Sequence, residues 1–163
     1  LSQTSFNEWI FSEGLPADCP TPDSERFKKV DALIASWKAE LPFDRKASEA
    51  WSTHEWLHFL KNLSDTLSME QMTAIDNFGN FTQSGNAEII AAWSVTSIRN
   101  NYKPMYPKIE NFLINTGRRK FLSPIYTELA KTPDGKIRAR EIYQKARPNY
   151  HFVASNTFDK LLH

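Results

Sequence analysis

The run His54-Glu55-Trp56-Leu57-His58 has the residue types and spacing of a zinc-hydrolase centre. Two histidines one helical turn apart can share a metal ion, and the glutamate between them can activate a water. The surrounding sequence argues against that chemistry. At about 100° per residue, Trp56, Phe59, Leu60 and Leu63 centre on one face of the helix. His54 and His58 fall nearly opposite, in a stripe with Lys61, Asn62 and Asp65. A ligand pair on a solvated stripe lacks the sheltered cavity and supporting hydrogen bonds that hold a metal.

A third ligand is also missing. Zinc aminopeptidases with this motif place a glutamate nineteen positions after the second histidine, and Asn77 stands there. The metzincin continuation fails too, with Lys61 where Gly is needed and Ser64 where the third His is needed. Glu70 and Asp76 are the nearest downstream acids, and neither has the spacing. No segment resembles the Gly-Ala-Met-Glu-Asn substrate-binding run of such enzymes. His54, Glu55 and His58 therefore read as a chance match, leaving no catalytic residue and no metal ligand. The single cysteine, Cys19, excludes an internal disulfide framework. It lies in Pro16-Ala17-Asp18-Cys19-Pro20 with no nearby histidine to act as base, and reads as an ordinary thiol.

The elements that would carry these residues are helical, because apolar positions recur at helical spacing almost everywhere. A short first helix bears Phe6, Trp9 and Ile10 and stops at Gly14-Leu15-Pro16. The proline-rich stretch from Pro16 to Pro22 reads as a linker and domain boundary. A second helix, 23–39, carries Phe27, Val30, Ile34 and Trp37. Ser52 with Glu55, and Ser68 with Gln71, look like capping boxes opening two more. Asn86 caps a helix with Ile89, Ile90, Trp93 and Ile98. Pro107 opens the next, which ends at Gly117. Ser123-Pro124 starts a short helix closed by Thr132-Pro133-Asp134-Gly135, and helices over 136–146 and 151–161 complete the chain. The fold class is all-α, with about eight or nine short antiparallel helices in a two-layer stack or bundle. No repeat of fixed period appears.

Bulk properties exclude several roles. The 163 residues fit one domain, and the net charge of +1 gives no global field for nucleic acid or an anionic membrane. No apolar run spans a bilayer. The opening Leu1-Ser2-Gln3-Thr4 has no Met, basic segment or apolar run, so a fragment or processed product without a signal peptide is expected.

The second half carries a resemblance. Gly117-Arg118-Arg119-Lys120-Phe121-Leu122-Ser123-Pro124-Ile125-Tyr126 resembles the Gly-Arg-x-Lys-Phe/Tyr-x-x-Pro-Leu/Ile-Phe/Tyr segment of the leukotriene A4 hydrolase and aminopeptidase B family. Tyr102 and Pro107 match an aromatic and a proline upstream of it. Asn86-Ala87-Glu88-Ile89 followed by Trp93 resembles Asn-x-Glu-Ile-x-x-x-Trp, and Trp9 with Gly14-Leu15-Pro16 resembles the family's domain junction. Departures include Arg119, Phe152, and Ile90 and Ala92 where some relatives have arginine.

The resemblance implies an ARM-like α–α superhelix at the C-terminus of a zinc aminopeptidase. Residues 1–16 would end the preceding catalytic-domain helix and form the junction, and 17–163 would be the C-terminal helical domain. It implies that Arg118 and Lys120 bind the carboxylate of a short peptide substrate, and that Arg119 points elsewhere. No cofactor is expected in this fragment, because the zinc would lie in the absent catalytic domain. The expected partners are the catalytic and N-terminal domains of the same chain, with no nucleic acid and no membrane, and the expected compartment is the cytoplasm. On spacing alone, residues 118–120 could instead follow a helix C-terminus, where cations complement exposed carbonyls. Two other functions stay open on sequence: a freestanding helical-repeat interaction module, and an independent zinc hydrolase built on His54, Glu55 and His58.

Overall fold

The computed structural model describes residues 3–16, 19, 24–39 and 42–162. Among these residues there are ten α-helices and no strand. In order they are α1 (Gln3–Phe11), α2 (Glu25–Lys38), α3 (Arg45–Ser48), α4 (Thr53–Lys61), α5 (Met69–Gly79), α6 (Ala87–Arg99), α7 (Tyr106–Asn115), α8 (Arg119–Leu129), α9 (Pro133–Ala146) and α10 (Phe152–Leu162). Short 3-10 turns at Lys103–Met105 and Arg147–Asn149 lead into α7 and out of α9. Most of the linker at 16–22 lies outside the described residues. Cys19 is half-buried.

Local chemistry sets the helix starts. The Oδ1 of Asn86 accepts the backbone N–H groups of Glu88 and Ile89 at 2.9 and 3.4 Å, opening α6. Ser68 and Gln71 satisfy each other's backbone N–H at the start of α5. Asn80 closes α5 in the left-handed region at φ 49, a conformation that asparagine tolerates better than most residues.

Three sequence expectations need revision. α3 is an additional single turn, started by Asp44 accepting the Lys46 N–H at 2.9 Å. α8 begins at Arg119 rather than at Ser123, and Pro124 lies inside it. Proline there forfeits one helical hydrogen bond, but Phe121, Leu122, Ile125 and Tyr126 are all buried by carrying the helix back. α9 begins at Pro133 because Thr132 caps it, accepting the Gly135 N–H at 3.1 Å. Gly135 is required by space: a Cβ there would lie 2.2 Å from the Leu129 carbonyl oxygen.

The helices pack in alternation. α2 lies on α4, α4 on α6, α6 on α8 and α8 on α10, while α7 packs on α9 across the second layer. An aromatic chain fills the first half, from Phe43 through Phe59, Phe78 and Phe81 to Trp93 and Tyr102. A second cluster of Tyr126, Tyr143, Tyr150 and Phe158 ties α8, α9 and α10 together. Tyr150 donates to the Leu113 carbonyl at 2.6 Å, and its oxygen lies 3.1 Å from that of Tyr126. Burial pushes the Tyr150 hydroxyl up to about 12, so it stays a neutral donor. Tyr150→Phe would strand a buried carbonyl and the Tyr126 hydroxyl. Its expected cost is about 1.5 kcal/mol, measurable by urea denaturation; an unchanged midpoint would contradict this role.

α1 stands apart in character. Phe6, Trp9, Ile10 and Phe11 are all exposed, as is Leu15 just beyond it.

Candidate substrate-anchoring site

The zinc-like motif lies at the start of α4, and two of its three polar groups, Glu55 and His58, have other engagements. Glu55 is buried, and its carboxylate accepts Arg26 Nε at 2.7 Å and Arg26 Nη2 at 2.8 Å. The same group accepts the Ser52 N–H at 2.8 Å and the Ser52 hydroxyl at 2.7 Å. The Arg26 guanidinium is the main cause that holds the Glu55 carboxyl down at about 2, with the Ser52 bonds helping and burial opposing. His54 is exposed. His58 departs from the outward-facing position expected for it. Its ring stacks on Phe27 of α2 at 4.5 Å between centroids, and Nε2 lies 2.7 Å from Asp31 Oδ1. The expectation failed because α2 covers that flank of α4, which periodicity within α4 cannot reveal. His54, Glu55 and His58 thus do not fit a shared metal ion. Among the described residues no group of three His, Cys, Asp or Glu is placed to hold one.

Arg118 and Lys120 come just after the end of α7 at Asn115, but they open α8 rather than trail α7. Arg118 is its N-cap residue without a side-chain cap, and no acidic residue occupies the first turn. Both cations lie over one ring, with the Arg118 guanidinium carbon 5.2 Å and Lys120 Nζ 5.7 Å from the centroid of Phe121. Phe121 is itself buried against Phe112 of α7, so the platform is rigid while the two charges stay in water. Arg119 is exposed beside them. A helix N-terminus already carries partial positive charge. Three cations there oppose the helix dipole and invite an anion.

One anion partner is visible. Lys120 Nζ donates to Glu88 Oε1 at 3.1 Å, and Glu88 sits in the first turn of α6. The two helices lie side by side with like ends together, since Arg99 at the end of α6 meets Glu128 at the end of α8. Glu88 stood in the Asn-x-Glu-Ile run without an assigned role, and only the α6–α8 packing gives it one. Arg118 has no carboxylate partner among the described residues.

A separate cleft of ≈ 980 Å³ opens at the opposite ends of these helices. Arg99, Lys103, Tyr106, Glu128 and Arg138 are among its walls. Neither Arg118 nor Lys120 lines it, and about 16 Å of helix separates the two ends of α8. In its wall the buried Glu128 takes both Arg99 and Lys131.

Comparison with known proteins gives a consistent answer. Residues 51–162 match the family described as leukotriene A4 hydrolase, C-terminal. Human aminopeptidase B is 27% identical over 131 residues, covering 74% of this chain and 20% of that protein. Mouse aminopeptidase RNPEPL1 is 27% identical over 169 residues, covering 96% and 23%. Leucine aminopeptidase 2 of Yarrowia lipolytica is 26% identical over 172 residues, covering 98% and 26%. The chain thus spans only about a quarter of the length of these relatives. The solved structure of native yeast LTA4 hydrolase superposes with a TM-score of 0.74 at 16% identity, over 96% of this chain and 29% of that one. That likeness concerns the fold.

Proposed function

The chain belongs to the family of leukotriene A4 hydrolase C-terminal domains, and from that membership we propose that it is the non-catalytic helical domain of a zinc aminopeptidase. In this reading it lines the peptide-binding cleft and holds the substrate carboxylate with Arg118 and Lys120. The zinc and the groups that cleave the peptide belong to a catalytic domain elsewhere in the parent chain.

The observation that carries the reading is the charge at the start of α8. Cations at a helix N-terminus are destabilising by the dipole rule, and no cap or acidic side chain of α8 offsets them. A feature that works against the helix gains a reason if an anion is delivered from outside. Arginine offers a planar fork that matches a carboxylate, and lysine a mobile point charge. Held at its acid end, a short peptide is oriented for a distant reaction centre, and orientation alone lowers the barrier. The exposed Phe6, Trp9, Ile10 and Phe11 on α1 suit a helix whose apolar side is covered by the neighbouring domain of the parent chain.

Arg118→Ala in the full-length enzyme should lower kcat/KM on free-acid tripeptides by roughly tenfold to a hundredfold, as expected for one lost charge-assisted hydrogen bond. The same peptides with amidated C-termini should be cleaved almost as before, and the melting temperature should not move. Equal kinetics of variant and parent on the free acids would refute the assignment.

A further inference from the structure

Resting on that anchor, we propose that Glu88 is a specificity-determining residue that guards Lys120 and tunes the site to a single negative charge. The geometry points to competition. Lys120 Nζ is bonded to Glu88 Oε1 at 3.1 Å, whereas Arg118, over the same Phe121 ring, has no acidic partner among the described residues. The ring therefore carries two positive charges with one negative charge beside them. Over the ring itself the remainder is one positive charge, the complement of one carboxylate, while Arg119 is exposed beside the ring and not over it.

The guard is removable by construction. The Lys120 side chain is 61% exposed and that of Glu88 36%. An ion pair so open to water is weak and screened by salt. An arriving carboxylate can take the ammonium from Glu88 with little loss. Glu88 nevertheless stays in place, because Asn86 fixes the first turn of α6 and that turn favours an acid. A substrate with one terminal carboxylate then meets a free arginine first and displaces Glu88 from the lysine second. A peptide bearing an additional acidic side chain at its C-terminal residue meets Glu88 as a like charge and is disfavoured.

The test is steady-state kinetics of the full-length enzyme with Glu88→Gln, Lys120→Met and the double variant. Substrates are a neutral free-acid tripeptide, its C-terminal amide, and the analogue with a C-terminal aspartate. Glu88→Gln should lower KM for the free acid about threefold to tenfold, with kcat unchanged. The gain should be larger for the aspartate peptide, absent for the amide, and diminished at high salt. In the Lys120→Met background Glu88→Gln should have no effect on the free acid. A KM that is unchanged or higher in Glu88→Gln, while Lys120→Met raises it, overturns the guard and leaves the anchor standing. If Lys120→Met also leaves the free acid unaffected, the guard falls together with the lysine's share of the anchor, and Arg118→Ala decides the rest. Thermal melting of each variant separates these effects from a loss of folding.

Discussion

Trp93→Ala should lower the unfolding free energy by about 4 kcal/mol, the range for deleting a fully buried large aromatic. The residue lies on α6, the helix that joins α4 to α8, and none of its side chain reaches solvent. Its ring meets Phe81 at 5.3 Å and Tyr102 at 5.7 Å, and Nε1 donates to Thr82 Oγ1 at 3.2 Å. Thr82 in turn donates to Asp76, which also accepts the Tyr102 hydroxyl. Truncation therefore opens a cavity and loosens a polar network in one step. For a domain of this size the melting temperature should fall by roughly 8–16 °C. Trp93→Phe refills most of the space but cannot donate to Thr82, and should recover more than half of the loss. A drop below about 1 kcal/mol for the alanine variant would mean that the indole is not a core element.

Glu55→Ala should be the second most damaging change, at about 3 kcal/mol. It removes the acceptor for both Arg26 nitrogens and for the backbone and hydroxyl of Ser52, so the α2–α4 contact and the first turn of α4 weaken together. The carboxyl also sets an acid limit. Its folded pKa, about 2, lies below the ordinary 4.5. A depressed carboxylate contributes stability that is fully present above the ordinary value and is lost as pH falls towards the folded one. The wild-type domain should therefore lose stability between about pH 4.5 and 2, and Glu55→Gln should flatten that part of the profile. Denaturant midpoints at several pH values decide the matter. A steep acid limb that persists in Glu55→Gln would assign it to other carboxylates.

The motif around Glu55 shows what a sequence discloses and what it withholds. Ser52 and Glu55 carry two superimposed patterns, a capping box and a zinc-hydrolase motif. The capping pattern is decided within one turn of helix, so it was legible. Arg26 is the partner that completes the site, and it comes from 29 residues away, where no periodicity can point. His58 was misplaced for the same reason: its stripe is polar within α4, yet Phe27 and Asp31 of α2 cover it. The all-helical class and most helix starts followed from apolar spacing and caps. The start of α8 did not, because Ser123-Pro124 is a conventional opening and the burial of Phe121 and Leu122 overrode it. That shift turned the Arg118–Lys120 cluster from the tail of one helix into the head of another. Its electrostatic meaning changed sign with it.

The alternating order of the packed helices has an engineering consequence. Because α4 reaches α8 chiefly through α6, a defect at Glu55 must be relayed by an intermediary before residues 118–120 can feel it. That intermediary is short: Thr53, in the first turn of α4, accepts the Asn86 side-chain N–H at 3.0 Å, and Asn86 caps the turn that carries Glu88. Residues joined through a shared neighbour couple rather than add. Loosening the α2–α4 contact should thus lower heat tolerance first and reach peptide preference chiefly through this one bond, which makes Thr53 the place to tune how far the two properties move together.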